Sequence, residues 1–164
     1  MKEAMEPTDF FQRNWDACST HQERFMVTML WRGAMHVSSL YDLSINNLKG
    51  SNVVWRRPKT NEEMSASLTV EERGLAEYIL IFEWDPPPSI RTIQRAVKDV
   101  GARAGYYNVS PMTYRHTRAC ALLDRGWPYN EVASYMGCTW GVLERHYARL
   151  KVSRITTEDL DLVH

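Results

Sequence analysis

Between Asn52 and Val70 the apolar period of this chain changes, and everything on either side of that stretch reads as helix. "NVVWRRPKT" and "SASLTV" alternate as two short strands around a polar turn, "NEEM". The fold expected is therefore mainly α, in the α+β sense: a helical bundle with one small antiparallel β-sheet.

The helices announce themselves by spacing and by caps. Thr8 can cap a first helix with Phe10, Phe11 and Trp15. A second, from about His21, contains Phe25, Met26, Met29 and Leu30. A short third runs through Val37, Leu40 and Tyr41. Helical period returns from Val70 to Phe82 and is stopped by Pro86-Pro87-Pro88. Ser89 caps a helix with Ile90, Ile93, Val97 and Val100. Ser110 caps the next, with Pro111 in its first turn and Gly126 beyond its end. Two more follow, one through Val132, Ala133 and Met136 to Gly137, the other after Thr139 with Leu143, His146, Tyr147 and Leu150 on one side.

The chain has 164 residues, 44% of them apolar, enough for one domain with a real core, or at most one and a small appendage. No apolar run reaches membrane-spanning length, and "MKEAMEPTDFFQ" lacks the pattern of a signal peptide. Cys18, Cys120 and Cys138 are odd in number and without metal spacing, so they read as free thiols in a reducing, cytoplasmic space. Net charge is zero, but it is unevenly placed. From Ser89 to Arg154 eleven Lys or Arg stand against four Asp or Glu, and "WRRPK" adds three more cations. From Asn61 to Ile90 the balance reverses, with seven acids against Arg73. Arginine-rich segregation of this kind suggests a basic face for a polyanion; a solvated mixed surface is the plain alternative.

One helix poses a chemical question. In "YRHTRACALL", Met112, Arg115, Ala119, Leu122 and Leu123 fall at helical spacing, which puts Arg115 on an apolar side. A guanidinium withdrawn from water needs a partner, either an internal one such as Asp124 or Glu131, or a ligand.

"SPMTYRHTRACALLDRGW" through "EVASYMGCTWGVLERHYARL" resembles the end of the tyrosine recombinase (phage integrase) catalytic domain. Arg115 and His116-Thr117 match the family's His-x-x-Arg followed by His-Thr. Cys138 follows Arg115 by 23 residues and Tyr147 follows Cys138 by nine, the spacings of the family's Leu-Gly-His and of its nucleophilic tyrosine. Upstream, "GAMHVSSLYDLSINNL" is similar to the Thr-Gly-x-Arg-x-x-Glu-Leu segment, aligned through Leu40 and Leu43. "RRPKT" is similar to the strand end that presents the catalytic lysine.

The resemblance implies that residues 1–154 form the catalytic domain, with 155–164 a docking tail. It implies Tyr147 as nucleophile, Arg115 as phosphate clamp and Lys59 as general acid. His36 stands at the first clamp-arginine position, Met112 at the helix-histidine position and Cys138 at the third-position histidine. Arg32 lies near the first clamp site, but the leucine register does not put it there. His116 reads as a packing residue and His146 as an exposed one. The chemistry implied is DNA cleavage and rejoining through a 3′-phosphotyrosine, without metal or cofactor, by a homo-oligomer (a tetramer) assembled on double-stranded DNA. Arg91, Arg95, Arg118, Arg145 and Arg149 are candidates for contacts to the DNA backbone. With His in place of the first arginine, two other readings stay open: a DNA-binding protein on this fold that no longer cleaves, and an enzyme resembling type IB topoisomerases.

Overall fold

The structure, a computed structural model, describes residues 7–136. Among the described residues are seven helices and a three-stranded sheet: α1 (Pro7–Ala17), α2 (His21–Gly33), α3 (Val37–Tyr41), β1 (Leu48–Lys49), β2 (Asn52–Arg56), β3 (Glu63–Ser67), α4 (Val70–Phe82), α5 (Ile90–Arg103), α6 (Pro111–Asp124) and α7 (Tyr129–Met136). A 3-10 turn, Ile45–Asn47, precedes β1. The fold class expected from the sequence is the one observed.

Capping explains most of the helix starts. Thr69, Ser89 and Ser110 each accept the backbone N–H three residues on, and Thr69 and Ser110 close full capping boxes with Glu72 and Thr113. Thr20 caps α2 in the same way. α1 already includes Thr8, so that residue is not the cap expected of it. After α4 the chain turns through the three prolines, with Asp85–Pro86 in the cis form.

The sheet is antiparallel in the order β1-β2-β3, with Val53 opposite Ala66 and Trp55 opposite Met64. Those four side chains are buried on one face. The hairpin is tighter at its start and longer in its turn than the period suggests. "NEEM" is not the turn, because Glu63 and Met64 already pair with Arg56 and Trp55; residues 57–62 make the reversal, with Asn61 at φ 57°. β1 is an addition that two residues could not signal.

The main core gathers Phe10, Phe25, Leu30, Leu40, Ile79, Ile93, Val97 and Tyr114, with Phe10 edge-on to Tyr114 at 4.9 Å between ring centroids. A second, smaller cluster joins Ala34, Ala119, Leu122, Val132, Ala133 and Met136. α6 therefore buries two sides. Tyr114 and Ala121 face the main core, while Ala119 and Leu122 face α7. The Met112–Arg115–Ala119–Leu122 stripe is the α7 side, not the main-core side. Met112, in the first turn, lies ahead of α7 and stays 46% exposed, against the expectation of an apolar environment.

Candidate active site

Two helix ends and one hairpin turn meet over this stripe. α2 closes with Ala34 in the left-handed conformation (φ 47°, ψ 34°), which throws the chain sideways before α3 begins. His36 then stands at the N-cap of α3 with its side chain making no cap hydrogen bond. Its imidazole is left at the rim, exposed, beside Arg115 of α6 and the β2–β3 turn.

Arg115 answers its question first with carbonyls. Its Nη1 donates to the Ala34 carbonyl and its Nη2 to the Met136 carbonyl at 2.8 Å. Each of those oxygens closes a helix, α2 or α7, where the helix dipole is negative and a cation is stabilised. Arg115 thus ties three helices together at one point while remaining half-buried.

Arg57 makes a parallel arrangement from the hairpin. Its Nη2 donates to the Ser134 carbonyl at 2.6 Å and the Tyr135 carbonyl at 3.2 Å, and its Nη1 pairs with Glu62 at 2.9 Å. Gly33, Ala34, Met35, His36, Ser39, Trp55, Arg57, Met64, Arg115, Tyr135 and Met136 line one small cavity between these groups. The Tyr135 hydroxyl closes it on another side by donating to the Arg32 carbonyl.

The field at the cavity is positive. Partial burial holds the His36 imidazolium below its ordinary 6.5, and Arg115, Lys59 and Arg57 push the same way. At neutral pH His36 is therefore neutral, one N–H donor and one acceptor. Lys59 is exposed in the turn, near enough for its charge to reach His36.

His36 and Arg115, distant in sequence, are brought to one cavity; Lys59 does not line it and acts on His36 only through its charge. Met112 sits one helical turn before Arg115 on the same side. Cys138 and Tyr147 lie outside the described residues, as do Arg145 and Arg149. Arg91 and Arg95 are exposed one turn apart on α5. Arg118 differs: its guanidinium lies 5.1 Å over the Trp31 ring, and its Nε is buried with no hydrogen-bond partner among the described residues. Arg32 is occupied elsewhere, in a bidentate pair with Glu72 at 3.0–3.1 Å.

The sequence pattern missed Arg57 and Ala34 as site residues. Strand alternation could have found the first, since Trp55, Arg57 and Lys59 share one side of an extended chain. Nothing local marks Ala34, an alanine in a conformation that favours glycine. Among the described residues no group of His, Cys, Asp and Glu could hold a metal ion, and no helix is long and apolar enough to cross a membrane.

No family model and no curated protein matches this chain. Solved structures do. The XerA recombinase superposes with a TM-score of 0.75 at 19% identity, over 95% of this chain and 64% of that one. XerH recombinase bound to its palindromic difH substrate, in a post-cleavage complex, gives 0.69 at 14% identity over 95% and 52%. The catalytic domain of bacteriophage HP1 integrase gives 0.61 at 14% identity over 92% and 88%. The fold is that of an integrase-like catalytic domain. This chain spans 64% of the XerA chain and 52% of the XerH chain.

Proposed function

We propose that this chain is the catalytic domain of a tyrosine-type site-specific DNA recombinase. The observation that supports this reading best is the meeting of His36, Arg57 and Arg115, from three elements far apart in sequence, on one small cavity, with the charge of Lys59 acting on His36 from the same hairpin turn. That fits a reaction in which charge grows on the non-bridging oxygens of a phosphodiester.

In the mechanism, the Tyr147 oxygen attacks phosphorus and the bond from phosphorus to the 5′-oxygen breaks. Lys59 gives a proton to that leaving oxygen, and the Tyr147 proton passes to solvent or a neighbouring base. The 3′-phosphotyrosine keeps the energy of the broken ester, so the reverse attack by a new 5′-hydroxyl rejoins DNA. Arg115 clamps the phosphate; its guanidinium lines the cavity and is mounted on the Ala34 and Met136 carbonyls. His36, neutral, donates one hydrogen bond where a guanidinium would donate two. Met112 and Cys138 occupy the positions of the two other histidines. Arg91 and Arg95 extend the cationic surface along α5, and duplex DNA is the partner, bound by a homo-oligomer.

The test uses a pool of nicked suicide duplexes with randomised sequence around the nick, scored for a denaturation-resistant protein–DNA adduct. The parent should form it and Tyr147→Phe should not. An adduct that survives Tyr147→Phe refutes the nucleophile assignment. A second reading, a non-cleaving DNA-binding protein, is favoured by the single N–H that His36 offers; duplex binding without any adduct would establish it.

A further inference from the structure

We propose that Arg57 supplies the second guanidinium of the phosphate site, in place of the arginine that His36 replaces. The proposal rests on the recombinase reading above for its substrate, a DNA phosphodiester.

The two arginines at the hairpin have different fates. Arg56 is exposed and bonds within its own turn, to the Asn61 carbonyl at 2.9 Å and to Glu63 at 3.7 Å. Arg57 points the other way. Its side chain is 14% exposed, against 59% for Arg56, and it lines the cavity shared by His36 and Arg115. Arg57, the first residue after β2, bonds its N–H to the Glu62 carbonyl and so continues the alternation of the strand one position further, on the side of Trp55; Arg56 faces the other way.

Arg57 and Arg115 also share a mount. The last three residues of α7 offer their carbonyls to these two guanidiniums: Ser134 and Tyr135 to Arg57, Met136 to Arg115. Both planar forks are thereby fixed at the negative end of one helix, and both side chains line the same small cavity. Two cations on one cavity repel, and both favour an anion there. This is the arrangement a bidentate phosphate clamp needs.

Glu62 is the carboxylate on Arg57. It is 51% exposed and only five residues away on the same turn. An ion pair that open to water contributes little stability. A phosphate can therefore exchange for the Glu62 carboxylate on Nη1 while Nη2 stays anchored to α7. Lys59, two residues on, would then flank the same phosphate from the leaving-group side.

Two measurements decide the matter, both on the full chain. The first is binding to a random-sequence duplex as a function of salt. Arg57→Gln should lower the slope of log affinity against log salt by about 0.9, as one phosphate contact is lost. Glu62→Gln should tighten binding more than Glu63→Gln, although each removes one negative charge. The pair of glutamate variants keeps the test valid if Arg57→Gln unfolds. An unchanged slope in a folded Arg57→Gln protein, or equal tightening by the two glutamate variants, overturns the proposal.

The second measurement is adduct formation on suicide duplexes with either an ordinary or an uncharged methylphosphonate linkage at the scissile position beside the nick. Arg57→Gln should slow adduct formation by about 10²-fold on the ordinary linkage. The deficit should shrink at least tenfold, in order of magnitude, on the neutral one, where there is less charge to stabilise. An equal deficit on both linkages would mean that Arg57 acts only by tying the hairpin to α7, and the proposal fails. A parent that binds DNA but never forms an adduct defeats the recombinase reading instead; the salt slope then still decides whether Arg57 holds a phosphate.

Discussion

Removing the Glu72 carboxylate should destabilise the fold without touching the phosphate site. Glu72 is 6% exposed in its side chain and accepts Arg32 Nε and Nη2 at 3.0–3.1 Å. It also accepts the Thr69 backbone N–H at 3.0 Å, as half of the capping box of α4. Glu72→Ala therefore leaves a guanidinium without its carboxylate and a helix start without half its cap. Breaking a fully buried pair costs about 3–5 kcal/mol. Arg32 keeps 28% of its side-chain surface, so water re-solvates it in part and the loss falls toward about 2–3 kcal/mol. The cap adds roughly 0.5–1 kcal/mol. A total near 3 kcal/mol lowers the melting temperature by about 6–12 °C for a chain of this size. Thermal and urea melts followed by circular dichroism measure it. The double variant Arg32→Met with Glu72→Leu should recover most of the loss, because no charge is then stranded. A loss below about 1 kcal/mol in Glu72→Ala would refute the reasoning. So would a reduced salt slope of DNA binding in Arg32→Met, since that would make Arg32 a phosphate ligand after all.

His36 is held below its ordinary 6.5 by burial and by Arg115, Lys59 and Arg57. In acid the unfolded chain thus binds the extra proton first, and stability should rise with pH up to about 6.5, then level off. His36→Asn should flatten that part of the profile in urea melts between about pH 5 and 7.5; an unchanged slope would show that His36 does not set it. Gly101 lets α5 meet Val109 closely, because a Cβ there would lie 2.5 Å from Val109 Cβ and Cγ2. Gly101→Ala should cost about 1–3 kcal/mol, with part restored by Val109→Ala in a double-mutant cycle; additive losses would contradict the contact.

The helix boundaries were legible because their causes are short-range. Thr69, Ser89 and Ser110 each act on an N–H three residues away, and Pro111 and the Pro86–Pro88 run act through their own backbone. Strand alternation carried the hairpin for the same reason, although not the position of its turn. Charge did not behave this way. The acidic stretch after Asn61 looked segregated along the chain, yet Glu62, Glu63, Glu72 and Glu77 pair with Arg57, Arg56, Arg32 and Arg73. Part of the expected basic surface is neutralised in space.

The sequence by itself determined the main helices and the hairpin, the mainly helical class and, through spacing that resembles one family, that Arg115, Lys59 and His36 are the residues to watch. Tertiary structure decided what surrounds them. The carbonyls that fix Arg115 come from residues 81 and 21 positions away, and those that fix Arg57 from 77 and 78 positions away. No local pattern encodes such partners, because a helix C-terminus offers the same backbone oxygens whatever its side chains are. Which cation receives them depends on how α2, α6, α7 and the hairpin pack, and only the packed core sets that.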